Sequence, residues 1–338
     1  MRWRWRLLLT LLLCGLAQTS AAAAPRPYHV MLLLFRGCEE ACQGFQDYFR
    51  RQNVPVRFTL RDAAQDKRRI AGFVAEARRT RPDLVVAWGT SVALEAAGQW
   101  DAVDPARHIT DIPVVFMAVT DPVRSRLTPS LDGSGRNVAG TRYLLSADEQ
   151  LRAARMYLDF RRVGFLYNPA EPNSTISLEE VRAAASRLGA ALVVETLRLD
   201  AGGRPDPAAI PGHFAALAAA GVDLFYASPD SFINSRRKEI TAAALAHRLP
   251  VFAAAEALVA QADGLFGVVV RYDVMGRFTA RLALRILQEG QRPGSLPVAL
   301  PRNFSYLINL RTAHLLERYP PLPLLDVAEF VDNGEGTP

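Results

Sequence analysis

Short apolar segments alternate with amphipathic segments along most of the chain. The apolar segments include YHVMLLLF, DLVVAW, PVVFMAV and DLFYA, and several precede a stretch with helical periodicity such as KRRIAGFVAEARRTR. Strands that are apolar throughout, rather than at every second position, are typical of parallel sheets covered by helices on both faces. A first set of strands runs to about Gly140 and a second set begins at Val163. The pattern therefore predicts an α/β fold with two doubly wound parallel sheets.

The first 24 residues have the organisation of a secretory signal peptide. Three arginines precede an apolar run from Leu7 to Leu16, and small residues follow at 20–24. The apolar run is too short to span a membrane. We therefore expect residues 1–24 to be a cleaved signal peptide, and the mature protein to be periplasmic and not membrane-spanning.

The charge of the chain is small once the signal peptide is set aside. The formal net charge is +6, and the three signal-peptide arginines leave +3 for the mature chain. Such a charge on a chain of this size does not indicate binding to nucleic acid.

Two cysteines of the mature chain, Cys38 and Cys42, lie four residues apart. In an oxidising compartment we expect them to form a disulfide at the start of the first helix. They have no nearby histidine or second cysteine pair that would complete a metal site. The sequence also has no P-loop and no Gly-x-Gly-x-x-Gly motif, so we expect neither a metal nor a cofactor.

The loops after the predicted strands supply the candidate binding residues, because ligands of open parallel sheets bind beyond the carboxyl ends of the strands. Helix N-termini in such loops present unpaired N–H groups that suit a carboxylate or phosphate. The helix after the loop NPAEPNS is expected from about Ser177. The candidates are Arg36, Trp88, Gly89, Thr90, Ser91, Thr120, Asn173, Ser174 and Asp230.

Several candidates also have a purely structural interpretation, as a helix cap, a helix start or, for Arg36, a solvated surface residue. Thr90, Ser91 and Asp230 could do no more than cap helices. The segment 89–93 approaches the Gly-x-Ser-x-Gly nucleophile elbow, which allows a serine hydrolase that uses Ser91. No later histidine falls in a strand-end loop, so binding is favoured over catalysis.

The chain resembles the periplasmic substrate-binding proteins of ABC transporters, in the group that includes tryptophan- and tyrosine-uptake binding proteins. The matching phrases occur in the family's order and cover nearly all of the mature chain; they include IPVVFMAVTDPV, VGFLYNPAEPNS, RYDVMGRFTARLALRILQEGQRPGSLPV and LINLRTAHLL. The resemblance implies a type I periplasmic binding fold, in which two α/β lobes are joined by three crossings and close on a ligand.

The resemblance also implies where the chain crosses between the lobes. Lobe one would comprise residues 25–140 and 271–298, and lobe two would comprise residues 141–270 and 299–332. Residues 333–338 are expected to form a disordered tail.

Carried over position by position, the resemblance assigns roles to several candidates. The carboxylate-binding turns fall on Thr90 and Ser91 in lobe one and on Asn173 and Ser174 in lobe two. The ammonium-binding aspartate falls on Asp230.

Two features of the sequence depart from the family. Family members commonly have a small residue where this chain has Trp88, and a large indole there could stack on a ligand or fill part of its pocket. The segment RGCEEACQGF is also unlike the amino-acid binders. The ligand therefore need not be an aromatic amino acid.

We expect an exported, monomeric solute-binding protein without enzyme activity. It would capture a small carboxylate-bearing or amino-acid-like ligand and deliver it to the membrane permease and ATPase of an ABC importer. A ligand-sensing partner of a membrane signalling protein is the alternative, and a serine hydrolase using Ser91 is a weaker one.

Overall fold

The computed structural model describes residues 26–142, 144–301 and 304–332. The predicted signal peptide, 1–24, and the predicted tail, 333–338, lie outside the described residues. Within them the chain forms a five-stranded sheet, here called the first sheet, and a seven-stranded sheet, here called the second sheet.

The first sheet is built by the N-terminal part of the chain and has the order β2-β1-β3-β4-β5, with all neighbours parallel. Its strands and helices are β1 (Tyr28–Leu34), α1 (Glu40–Arg51), β2 (Val56–Asp62), α2 (Ile70–Thr80), β3 (Leu84–Trp88), α3 (Thr90–Ala97), β4 (Val114–Val119) and β5 (Val138–Arg142).

Both faces of the first sheet are covered, which explains why its central strands are apolar throughout. Successive residues of a strand point to opposite faces. In β1, Val30 and Leu32 belong to the hydrophobic core that includes α1, whereas Met31 and Leu33 belong to the core that includes α2 and α3. A strand buried on both sides needs an apolar side chain at every position.

The second sheet has the order β12-β11-β10-β9-β8-β6-β7. The elements that lead to it and build most of it are α4 (Ala147–Tyr157), β6 (Arg162–Tyr167), α5 (Pro172–Arg187), β7 (Ala191–Thr196), α6 (Ile210–Ala219), β8 (Leu224–Ala227), α7 (Ser231–Ser235), α8 (Arg237–Ala246), β9 (Val251–Ala253), α9 (Glu256–Ala260) and β10 (Phe266–Val269). The C-terminal elements are α10 (Tyr272–Leu287), β11 (Ser305–Asn309), α11 (Leu310–Leu316), α12 (Leu322–Leu325) and β12 (Ala328–Val331).

Helix α10 follows β10 of the second sheet but packs on the first sheet, where its main partner is α1. The two helices approach closely at glycines: a Cβ atom on Gly276 would lie 2.0 Å from the carbonyl oxygen of Ala41, and one on Gly44 would lie 2.5 Å from that of Asp273. The Thr279 hydroxyl also lies 3.0 Å from that of Thr141 at the end of β5. The chain then returns to the second sheet through β11.

The prediction of an α/β fold with two doubly wound lobes is confirmed, with differences in detail. β11 runs antiparallel to β10, although the other described neighbours in the second sheet are parallel. β5 extends two residues beyond Gly140, and α5 begins at Pro172 rather than near Ser177. Proline suits this first helical position because the N–H that it lacks would be unpaired there.

A disulfide joins Cys38 to Cys42, with 5.1 Å between their Cα atoms. Cys38 lies two residues before α1, so the bond ties the loop after β1 to the first turn of the helix rather than joining two helical positions.

Candidate functional site

A pocket lies between the carboxyl ends of the two sheets. Its walls come from residues that follow β1, β3, β4, β6 and β8, together with the first residue of α10. The empty space amounts to about 550 Å³ when the open mouth is included. Seven of the predicted residues line it: Arg36, Trp88, Gly89, Thr90, Ser91, Thr120 and Asn173.

The N-terminus of α3 forms one wall of the pocket. The N-cap residue is Gly89, with φ of +89°, and no side chain in the described part of the chain caps the helix. A positive φ favours glycine, which has no Cβ to clash. Thr90 and Ser91 are therefore not caps, so that structural interpretation is wrong; they lie in the first turn and line the pocket. The N–H groups of a first helical turn have no partner within the helix and carry positive potential.

The end of β4 places Thr120 beside this helix. The pairing of β4 with β5 is irregular between Phe116 and Val119, and Ala118 within that interval has φ of +55°. Such bulges redirect a strand end and are common next to functional sites. Beyond the bulge, the Thr120 N–H donates to the Thr90 hydroxyl over 3.5 Å.

The opposite wall, from the second sheet, presents oxygen acceptors. Glu171 is 6% exposed, and its Oε2 accepts a hydrogen bond from the Ser231 N–H at 3.2 Å. Asn234 is 2% exposed; its Nδ2 donates to the Asp230 carbonyl at 2.9 Å, and its Oδ1 has no hydrogen-bond partner among the described residues. Asn173 Nδ2 donates to the Pro229 carbonyl at 2.8 Å.

Asp230 and Ser174 lie behind this wall and are not among the residues that line the pocket. Asp230 is fully buried: its carboxylate accepts from the Ile233 N–H at 3.0 Å, which caps α7, and from Asn168 Nδ2 at 2.8 Å. The Ser174 hydroxyl accepts from the Asn168 N–H at 2.9 Å. The polar atoms of both side chains thus have partners within the protein.

The Glu171 carboxylate makes this side of the pocket acidic, and the buried carboxyl group of Asp230 lies behind it. Burial, and next the neighbouring Glu171 carboxylate, raise the pKa of Asp230 to about 8. The acidic wall faces the positive end of α3, so the two walls have opposite polarity.

The floor next to α3 is aromatic and includes Trp88 and Tyr272. Their ring centroids are 6.4 Å apart and the rings are perpendicular. The Arg36 guanidinium lies over the Trp88 ring, 5.5 Å from its centroid, within the range of a cation–π interaction. Arg36 Nε and Nη2 each donate to the Glu39 carboxylate at 2.8 Å. Burial raises the pKa of Tyr272 to about 12, so its phenol is neutral in the pocket.

Residues 36–319 match the family described as ABC transporter substrate binding protein. The chain belongs to this family of substrate-binding proteins. The match covers most of the chain, including the residues on both walls of the pocket.

Individual relatives of this substrate-binding protein agree with the assignment. The Tyrosine-binding protein of Clostridioides difficile (strain R20291) is 27% identical over 208 residues, which is 61% of this chain and 57% of the relative's length. A conserved domain protein from Vibrio cholerae O1 biovar El Tor is 25% identical with a TM-score of 0.78, over 90% of this chain and 99% of that chain. The ABC domain in complex with L-Trp from Streptococcus pneumonia has the same TM-score and coverage at 23% identity, and supports the fold alone.

Several residues that line the pocket were missed by the sequence analysis of this substrate-binding protein. Glu171 and Ser231 lie in strand-end loops that the sequence did indicate, so weighing every polar residue of those loops would have found them. The sequence did not indicate Asn234 or Tyr272. Asn234 lies inside α7 rather than in a strand-end loop, and Tyr272 is the first residue of α10, where the chain crosses back to the first sheet.

Three features of other protein classes are absent from the described residues of this substrate-binding protein. In the described ranges, no group of three or more histidine, cysteine or acidic side chains could hold a metal ion. None of the described helices is long and apolar enough to cross a membrane. No histidine is found among the described residues that line the pocket with Ser91.

Proposed function

We propose that the protein is the periplasmic solute-binding component of an ABC importer and captures a small amino-acid-like zwitterion. The observation that carries the proposal is the opposite polarity of the two pocket walls. One wall presents the N-terminus of α3, which no described side chain caps. The other wall includes Glu171, with its carboxylate, and Asn234, whose buried Oδ1 has no hydrogen-bond partner among the described residues. A ligand with a carboxylate at one end and an ammonium at the other matches both.

The carboxylate of the ligand would bind to the first turn of α3. Thr90 and Ser91 offer hydroxyl groups, and the first-turn N–H groups offer donors of fixed direction. Asn173 on the opposite wall would close over the same end of the ligand. A hydrogen bond to a charged group contributes about 1.5–3 kcal/mol, so a few such contacts give substantial affinity.

The ammonium of the ligand would bind to Glu171 and Asn234. Glu171 Oε2 already accepts from Ser231, whereas its Oε1 has no hydrogen-bond partner in the described part of the chain. We therefore move the direct ammonium contact from Asp230, which is fully buried, to Glu171. Asp230 would support the site by capping α7, where its carboxyl group accepts from the Ile233 N–H.

The proposal includes the transport partners implied by the family. The protein would be exported through residues 1–24, bind its ligand between lobes one and two as a monomer, and present the closed form to a permease and its ATPase. Catalysis is not part of the proposal. Ser91 would donate a hydrogen bond to the ligand, because no histidine that could activate it lines the described pocket.

Glu171→Gln tests the proposal. The ligand is first identified by mass spectrometry of small molecules released on denaturing freshly purified protein, and then titrated calorimetrically. We expect Glu171→Gln to weaken binding of the amino acid about 30-fold or more, because the substitution leaves a desolvated ammonium without its charged partner.

The control is Glu195→Gln, the same substitution in lobe two outside the pocket, which should leave the affinity unchanged. The deaminated counterpart of the ligand separates charge recognition from misfolding, because Glu171→Gln should not weaken its binding. A bound molecule without an amino group, or unchanged affinity in Glu171→Gln, would contradict the proposal.

A further inference from the structure

We infer that Trp88 fills the part of the pocket into which the side chain of a bound amino acid would extend. It would thereby restrict this protein to amino acids with small side chains. The inference rests on the proposed function and narrows its ligand class. It differs from what the names of the relatives suggest, since one is called a Tyrosine-binding protein and another was solved with L-Trp.

The position of Trp88 puts its indole at the floor of the pocket. It is the last residue of β3 and directly precedes Gly89, so it adjoins the α3 turn proposed to hold the ligand carboxylate. A side chain at the Cα of a ligand bound there has to extend towards the surrounding wall, and Trp88 is the largest residue in that wall.

The Trp88 ring is not available as a stacking platform, because only 7% of the residue is exposed. Arg36 covers the ring and Tyr272 meets it at a right angle. An aromatic ligand that stacked on Trp88 would first have to displace one of these side chains.

Both neighbours of Trp88 are themselves fixed. Arg36 is held by two hydrogen bonds to the Glu39 carboxylate. Tyr272 begins α10 and is 3% exposed, and its N–H donates to Glu256 Oε2 at 2.5 Å. Rotation of the indole out of the pocket would therefore disturb an ion pair and a helix start, as well as the cation–π contact.

The space that remains is small. Only about 40 Å³ of the pocket is open to the centre of a water molecule. One water needs about 10–15 Å³ of such space, so roughly three waters would fill it. This is room for an ammonium, a carboxylate and the carbon between them with a short side chain, whereas an indole or phenol would require Trp88 to leave.

Trp88→Ala and Trp88→Leu test the inference by calorimetric titration with glycine, L-alanine, L-serine, L-tyrosine and L-tryptophan. We expect the wild type to bind at least one of the three small amino acids more than about a hundredfold tighter than either aromatic one, since a single excess methylene already costs about tenfold or more in a tight pocket. Each Trp88 variant should lower that ratio at least about tenfold by admitting the aromatic side chain.

Two features of the design keep the test decisive. Trp88→Leu retains apolar volume in case the alanine variant is unstable, and Trp100→Ala is a matched control because Trp100 is 44% exposed and outside the pocket. The control should keep the wild-type ratio.

The outcomes separate the inference from the proposed function. Wild-type protein that binds tyrosine or tryptophan as tightly as the best small amino acid overturns the role of Trp88 and leaves amino-acid capture standing. The role of Trp88 is also overturned if both variants keep the wild-type ratio. If no amino acid of the set binds to any of the proteins, amino-acid capture is overturned, and the narrower inference falls with it.

Discussion

At the scale of single residues, Asp230 shows that a buried aspartate after a strand can form its hydrogen bonds within the protein rather than to a ligand. It follows a buried strand, as a ligand-binding residue would, yet both carboxylate oxygens are used within the protein. Its carboxyl group has to sit in a fully buried position next to Glu171, which favours the protonated form.

The raised pKa of Asp230 predicts how the stability of the ligand-free protein varies with pH. The pKa is 3.8 in the reference state and about 8 in the fold, so between these values the folded protein keeps a proton that the unfolded chain has released. This contribution to the free energy of unfolding is fully present below pH 3.8, decreases as the pH rises, and is gone above about 8.

Melting temperatures of the wild type and Asp230→Asn between pH 5 and 9 measure this effect. The wild type should lose stability more steeply than the variant up to about pH 8, because asparagine cannot ionise. Above pH 8 the two curves should run parallel. Parallel curves over the whole range would show that Asp230 does not carry the raised pKa.

The sequence predicts only some of the polar residues that line the pocket. Thr90 and Thr120 were found because the carboxyl ends of parallel strands converge at one edge of a sheet. The choice between Glu171 and Asp230 could not be made, because each follows a strand, and the local path of the loop decides which side chain faces the pocket.

At the scale of secondary-structure elements, the contact between α1 and α10 ties the C-terminal part of the chain to the first sheet. Gly276 allows it, since a Cβ at this position would overlap the Ala41 carbonyl oxygen. The phenol of Tyr28 in β1 also donates to the Leu287 carbonyl at the end of α10, at 3.0 Å.

Gly276→Ala should therefore destabilise the protein by about 1–3 kcal/mol, because the two helix backbones must move apart. Gly72→Ala is the matched control: Gly72 lies within α2, and a Cβ atom there would have no atom of the described residues within 4 Å. Alanine at this position should stabilise the helix by up to about 1 kcal/mol. Urea unfolding of the ligand-free proteins measures both free energies. Equal effects of the two substitutions would mean that the α1–α10 contact adapts without cost.

The apolar pattern predicted where strands and helices lie better than it predicted which strands pair and in which direction. It indicated the central strands β1, β3 and β4 of the first sheet because each is buried on both faces. It gave no sign that β11 would be antiparallel to β10, since that direction follows from the path of the chain through α10. Helix α5 begins before its apolar periodicity because Pro172 and the polar residues after it form the first turn at the pocket.

At the scale of the whole molecule, polar contacts cross directly between the segments assigned to the two lobes. Arg124, in the loop after β4, pairs with Glu179 and lies 3.5 Å from Glu180, both on α5. The Lys67 ammonium donates to the Ala170 carbonyl in the loop after β6. Because these contacts join segments assigned to opposite lobes, they would form on closure and break on opening. Their assignment to opposite lobes came from the resemblance, because spacing along the sequence does not show which loops meet.

Arg124→Ala should weaken ligand binding by shifting the protein towards the open form. The effect should be modest, up to about fivefold, because a partly exposed ion pair contributes about 0.2–1 kcal/mol. It should shrink as salt is added, since screening already weakens the wild-type pair. Small-angle scattering of the ligand-free variant should show a larger radius of gyration than that of the wild type.

Arg152→Ala provides the control for this last prediction. Arg152 pairs with Asp148 at 2.7 Å on the same helix, α4, and is also exposed, so its loss removes an ion pair of the same kind without touching the contact between the lobes. It should change neither affinity nor radius of gyration. If Arg124→Ala behaves like Arg152→Ala in both measurements, the Arg124 contacts do not hold the lobes together, and closure depends on the ligand and on the other contacts between the lobes, such as that of Lys67 with the Ala170 carbonyl.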